Sequence, residues 1–164
     1  MSKLAAEIKQ TKPFVSLEEE AMLNLARTYE FLNQRVSAFL KGFQLTPTQY
    51  NMLRILRGAG AEGISCSQAC ERMITPDPDV TRLLDRMESQ GLIRRERSRE
   101  DRRMVIARIT KPGLRLTNQI DEPLQHLLRN LFGTVDRSTL QMLIAVLESL
   151  RDSANPIATQ GGHA

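Results

Sequence analysis

The chain has 164 residues, a net charge of +4 and a pI near 9.4, with no tryptophan and only 4% aromatic residues. That length buries a core without disulfide support, and the basic balance permits an anionic partner without requiring one. The scarcity of aromatics argues against a single-strand binder that stacks bases. Two cysteines, Cys66 and Cys70, make no disulfide framework, and no apolar run is long enough to span a bilayer. A soluble cytoplasmic protein without a membrane partner is expected.

In chain order, residues 1–15 read as a flexible or loosely docked arm. Ser16-Leu17-Glu18-Glu19 is a capping box, with Val15 placed as a hydrophobic staple. Apolar residues then recur at helical spacing from Leu17 to Leu40, predicting a seven-turn helix that ends near Gly42. Thr46-Pro47 starts a second helix, with Thr46 as cap and Pro47 in the first turn. Gly58, Gly60 and Gly63 end it, and Ile64 suits a very short strand. Ser65 opens a third helix reaching about Met73.

A fourth helix is expected to be capped by Asp77 with Pro78 at its first position. It turns Val80, Leu83, Leu84 and Met87 inward and Thr81, Arg82, Asp85, Arg86 and Ser89 outward. Gly91 closes it with Leu92 as hydrophobic partner. Two short strands follow, joined by an arginine-loaded turn. In the second, Val105, Ala107 and Ile109 share the face expected to anchor in the core. Thr110 caps a fifth helix to about Leu131 with Leu114, Ile120, Leu124, Leu127 and Leu128 apolar, and Pro123 is a possible kink. Asp136 caps the last helix, in which Leu140, Leu143, Ile144, Leu147 and Leu150 recur. The tail, 153–164, is expected to be disordered.

Charge is concentrated in one stretch. Arg94, Arg95, Arg97, Arg99, Arg102, Arg103 and Arg108 stand against only Glu96, Glu100 and Asp101. All seven cations are arginine, whose planar fork suits phosphates and base edges. A three-turn helix fits a major groove and presents its N-terminal half to bases, which singles out Thr75, Asp79, Thr81, Arg82 and, one turn deeper, Arg86. An intramolecular pair with Asp85, Glu88 or a wing residue competes for Arg86. A hairpin tip such as Ser98–Arg103 suits a narrow minor groove, where negative potential attracts arginine.

The order of elements resembles the MarR family of winged helix-turn-helix transcriptional regulators over roughly Leu17 to Arg151. The resemblance is carried by Leu45-Thr46-Pro47-Thr48-Gln49-Tyr50, Pro78–Glu88, Gly91-Leu92-Ile93-Arg94-Arg95, and Asp101-Arg102-Arg103 leading to Ile109-Thr110-Lys111-Pro112-Gly113. It implies a mainly α fold with a small β-wing (α-α-β-α-α-β-β-α-α). One domain is expected over 16–152, with a winged helix-turn-helix over about 46–110 and dimerisation helices over about 16–42, 111–131 and 136–152. In the family an Asp-x-Arg pair occupies the wing turn and maps onto Asp101 and Arg103; Arg99 and Arg102 are alternative inserted residues. The resemblance further implies a homodimer on a pseudo-palindromic double-stranded operator, a repressor released by a small aromatic or amphipathic effector. A winged-helix protein-interaction module without DNA binding is the alternative.

Other chemistry is poorly supplied. A thiolate near a helix start has a lowered pKa, which would make Cys66 and Cys70 a redox switch, but two small core residues are the expected reading. Peroxide-sensing members of the family carry a reactive cysteine early in the first helix, and none stands there. His126 and His163 form no metal cluster. No nucleophile motif, phosphate loop or paired carboxylates suggest an enzyme, and no cofactor is expected.

Overall fold

The computed structural model describes residues 2–76, 79–98 and 101–153. It divides into two units, Met1–Leu124 and Gln125–Ala164. The first holds α1 (Lys3–Glu7), α2 (Leu17–Lys41), α3 (Pro47–Gly58), β1 (Ile64–Ser65), α4 (Cys66–Glu71), α5 (Val80–Ser89), β2 (Ile93–Arg97) and β3 (Val105–Ile109). Helix α6 (Lys111–Leu131) begins in the first unit and continues into the second, which also holds α7 (Arg137–Ser153). The predicted order is present, with one addition. Within the segment read as an arm, Ser2 caps α1, which buries Leu4 and Ala5. The tail beyond Ser153 lies outside the described residues.

Side-chain caps set most of the helix starts. Thr46 and Gln49 close a reciprocal capping box on α3, with Pro47 at its first position. Ser65 caps α4 and Thr110 caps α6. Asp136 accepts the Thr139 N–H at 3.0 Å and two hydroxyls, from Ser138 and Thr139, which together hold its carboxyl far below the usual range.

Ser16 accepts the Glu19 N–H at 3.1 Å, as predicted for the start of α2. The staple is absent, because Val15 is 92% exposed. Its N–H, held by the Glu19 carboxylate at 2.6 Å, is what the first turn fixes, not its side chain. The α5 cap also differs from expectation. Asp79 accepts the Arg82 N–H at 3.2 Å, while the predicted Asp77 and Pro78 lie outside the described residues. Helix α4 stops at Glu71, two residues before Met73.

The three strands form one antiparallel sheet in the order β1-β3-β2. Ile93 pairs with Ile109, Arg97 with Val105, and Ile64 with Ala107. Leu53, Leu56, Ala69, Leu84, Met87, Ile93, Ala107 and Ile120 are buried. Val105 does not anchor the hairpin as its parity suggested; it is 38% exposed. It pairs at the far end of the ladder, beyond the reach of the helices, and Ala107 carries the burial. In α6 the buried face is Gly113, Thr117, Ile120 and Leu124, and Leu114 of the predicted stripe is exposed. Thr117 satisfies its hydroxyl on the Gly113 carbonyl at 2.8 Å. The helix runs through Pro123 without interruption.

The second unit has a different character. No residue of α7 is buried, and Met142, Leu143, Ile144, Val146 and Leu150 are exposed. Among the described residues no helix is long and apolar enough to cross a membrane.

Three elements of the first unit meet at one backbone joint. Helix α5 ends in a Schellman turn: Gly91, at φ +69°, donates to Glu88, and Leu92 donates to Met87. The Leu92 carbonyl then accepts the N–H of Thr110 at 3.0 Å, and the Thr110 hydroxyl is shared between the Gly91 and Leu92 carbonyls at 2.6 and 3.0 Å. Gly113 packs on that same carbonyl, so closely that a Cβ there would stand 2.2 Å from the Leu92 oxygen. Gly113→Ala is therefore expected to destabilise by about 2 kcal/mol or more, as overpacking against backbone does. Gly58→Ala, in an exposed helix position with nothing within 4 Å of the new methyl, should instead stabilise by about 0.5–1 kcal/mol. Chemical denaturation of the two variants checks the opposite signs.

Candidate nucleic-acid interface

Helix α5 presents most of the face that its sequence pattern predicts, although Val80 and Leu83, expected inward, are only half-buried. Leu84 and Met87 are buried, while Thr81, Arg82, Asp85, Arg86 and Ser89 are exposed. Thr75, before the helix, is exposed as well. The Arg82 guanidinium reaches back to its own cap, with Nε 3.0 Å from Asp79 Oδ2. The start of α3 faces the same side. Thr46, Thr48 and Gln49 line a groove of about 350 Å³ with Asp79, Arg82, Leu83 and Arg86. The sequence reading did not include Thr46 and Thr48; their signal was a helix start directly preceding the helix-turn-helix.

The acids of α5 serve the wing. Arg95 of β2 places Nη2 2.5 Å from Asp85 and 2.8 Å from Glu88, while its Nε and backbone N–H also donate to Glu88 at 3.0 and 2.7 Å. These bonds from Arg95 hold the Glu88 carboxyl below its ordinary value. Asp85 and Glu88, two of the partners foreseen for Arg86, are thereby engaged with Arg95, and Arg86 makes no ion pair among the described residues. Arg95 also approaches Cys66, but burial outweighs it and pushes the thiol up. That direction is the opposite of the one a redox-active thiolate needs.

At the wing tip, Asp101 Oδ1 accepts the Arg103 N–H at 2.9 Å and the Asp101 carbonyl accepts the Met104 N–H at 2.9 Å. Ser98 N–H closes onto the Met104 carbonyl. The carboxylate thus shapes the turn through backbone, leaving the exposed Arg103 side chain to project. Arg102 is exposed beside it, and Arg99 lies outside the described residues. Arg94 and Arg97, which the sequence reading did not select, are exposed too. Arg108 is not available in the same way: it pairs with Glu96 and donates to the Ala61 carbonyl at 3.0 Å. Among the described residues no group of three or more His, Cys, Asp or Glu could hold a metal.

An exposed arginine face on a helix, next to an arginine-tipped hairpin, is a winged-helix layout. Residues 43–104 match the model of the MarR family. With a MarR transcription factor that is 36% identical and covered over 98% of its length, the chain belongs to the MarR family. Its match to the transcriptional regulator MhqR of Bacillus subtilis is 28% identical over 96 residues, 58% of this chain and 65% of that protein. The chain therefore spans slightly under two thirds of that relative. A MarR transcription factor from Planctomyces limnophilus is 36% identical in structure-based comparison, with a TM-score of 0.65 over 83% of this chain and 98% of that one. The fold is also that of S. aureus MepR, solved as a DNA complex, at 21% identity and a TM-score of 0.71 over 79% and 96% of the two chains. The Bacillus and Planctomyces relatives are transcriptional regulators.

In this MarR-family chain Arg95 joins the wing to α5. Arg95→Ala should cost about 1–3 kcal/mol, the range for hydrogen bonds to charged groups, since two partly exposed carboxylates lose their partner. Glu88 carries a depressed pKa, so its contribution is present above its unfolded value of 4.5 and is lost as pH falls through the folded one. Stability of the parent protein should drop below about pH 4.5, and the variant should show a shallower drop. Melting curves across pH 2.5–7 would reveal parallel profiles if the pair carried no stability (roughly the span needed to titrate a carboxyl).

Proposed function

We propose that this MarR-family protein is a homodimeric, sequence-specific regulator that binds a pseudo-palindromic double-stranded operator. It acts as a cytoplasmic repressor and is released by a small aromatic or amphipathic effector. The observation that carries the reading is the exposed arginine set on two adjoining elements, Arg82 and Arg86 on α5 and Arg97, Arg102 and Arg103 on the wing. Thr75, Asp79, Thr81, Arg82 and Arg86 would enter the major groove. Arg103, placed by Asp101, would follow the backbone into a minor groove, with Arg99 and Arg102 beside it. A protein-binding wing has no need of this charge.

The dimer is supported by apolar surface that the described residues leave uncovered. On α7, Leu143, Ile144 and Leu150 are exposed and Leu140 and Leu147 half-exposed; on α2, Leu17, Met22, Leu25 and Tyr29 are exposed. Exposed stripes of this kind drive association, and closed twofold symmetry is its commonest form. Two lobes set by such a platform would meet half-sites about one helical turn apart. An effector favouring a different lobe spacing would release DNA by population shift. Light scattering at low micromolar concentration should give twice the chain mass, and a monomer there would remove the platform.

Selection from a random duplex pool should return two symmetry-related half-sites, whereas a pool that enriches nothing would overturn operator reading. Arg103→Ala should leave stability within about 0.5 kcal/mol, as for an exposed side chain, yet reduce the slope of log affinity against log salt by about one. A large fall in melting temperature with the slope intact would instead make Arg103 part of the hairpin's structure.

A further inference from the structure

We propose that Asp79 is a specificity-determining residue that acts through Arg82, holding its guanidinium as a fixed reader of one base pair. The inference rests on the DNA-reading function proposed above and assigns a role within it. Asp79 caps α5, and Oδ1 is fixed by the Arg82 backbone N–H at 3.2 Å. The second oxygen of a carboxylate so pinned has little freedom. It lies 3.0 Å from Arg82 Nε. An exposed ion pair between two free side chains gains little, because both must be immobilised. Here the helix has already immobilised one, and only the Arg82 rotamers remain to be restricted.

The contact uses Nε, on one edge of the planar fork. Nη1 and Nη2 define the opposite edge, the pair of donors that matches O6 and N7 of guanine in the major groove. The pair also has a charge consequence. Arg82 with Asp79 is neutral as a unit, so it adds little to the sequence-independent attraction of phosphates. Its hydrogen-bond donors still reward the right base. Asp79 thus lowers general affinity while sharpening one position of the operator.

Asp79→Asn and Asp79→Ser test this, because both residues remain good helix caps while neither carries the charge. Each variant, Arg82→Ala and the parent protein are passed through selection from a random duplex pool and titrated against a random duplex, with melting temperatures as the fold control. Arg82→Ala should flatten one base position per half-site, a loss of about 5- to 150-fold in discrimination for a bidentate contact of roughly 1–3 kcal/mol. Both Asp79 variants should flatten that same position by about threefold or more, and bind the random duplex about two- to threefold more tightly as one anion leaves the DNA-facing surface. Retention of that position in both variants at unchanged melting temperature would make Asp79 a cap only and overturn the proposal. Flattening at a different position from Arg82→Ala would mean that Asp79 reads a base itself, and overturns it equally. A parent protein that selects no motif would fail at the earlier step, the DNA-reading function, and is distinguishable on that ground.

Discussion

The Leu92 carbonyl is the point on which the first unit turns. Within a few ångströms it receives the N–H and hydroxyl of Thr110 and the bare Cα of Gly113. Through it the end of α5, the base of the wing and the start of α6 share one fixed geometry. A side chain at Gly113 would separate them, and a residue other than glycine at Gly91 would strain the left-handed turn that delivers Leu92 to this place. Everything the exposed arginines can do depends on the direction in which this joint sends α5 and the two strands.

Arg95 adds a second constraint on the same parts. The joint fixes where the wing starts, and the bonds to Asp85 and Glu88 fix how β2 lies along α5. A helix and a hairpin that present one continuous surface need both. The arginine-rich segment therefore divides its labour. Arg95 and Arg108 are committed to acids and to backbone within the lobe, and the projecting cations are those at positions that the ladder and turn leave outside.

Much of this was legible in the sequence where a local rule has one outcome. The Gly91-Leu92 closure of α5, the Thr46 cap with Pro47 behind it and the inward Leu84 and Met87 follow from spacing that a helix translates directly. The division among the arginines was not legible, because Arg94 and Arg95 are equivalent until the strand register places one beside Glu88 and the other away from it. Val105 misled for a similar reason: alternation gives a face, but only the tertiary ladder says how far along that face the core extends. The Asp79 cap went unread because Asp77-Pro78 satisfies the same local rule two residues earlier, and α1 is too short for its periodicity to stand out.

Between Asp79 and Thr110 there is no lysine. Arginine keeps its charge at every physiological pH and is not a substrate for the acetylation that silences lysines. The arginine charges of α5 and the wing are consequently permanent within that stretch. Neither acidification nor acylation would remove their attraction for an anion. What such a charge can reach is then set by where it is held, by the backbone joint and the helices that carry it.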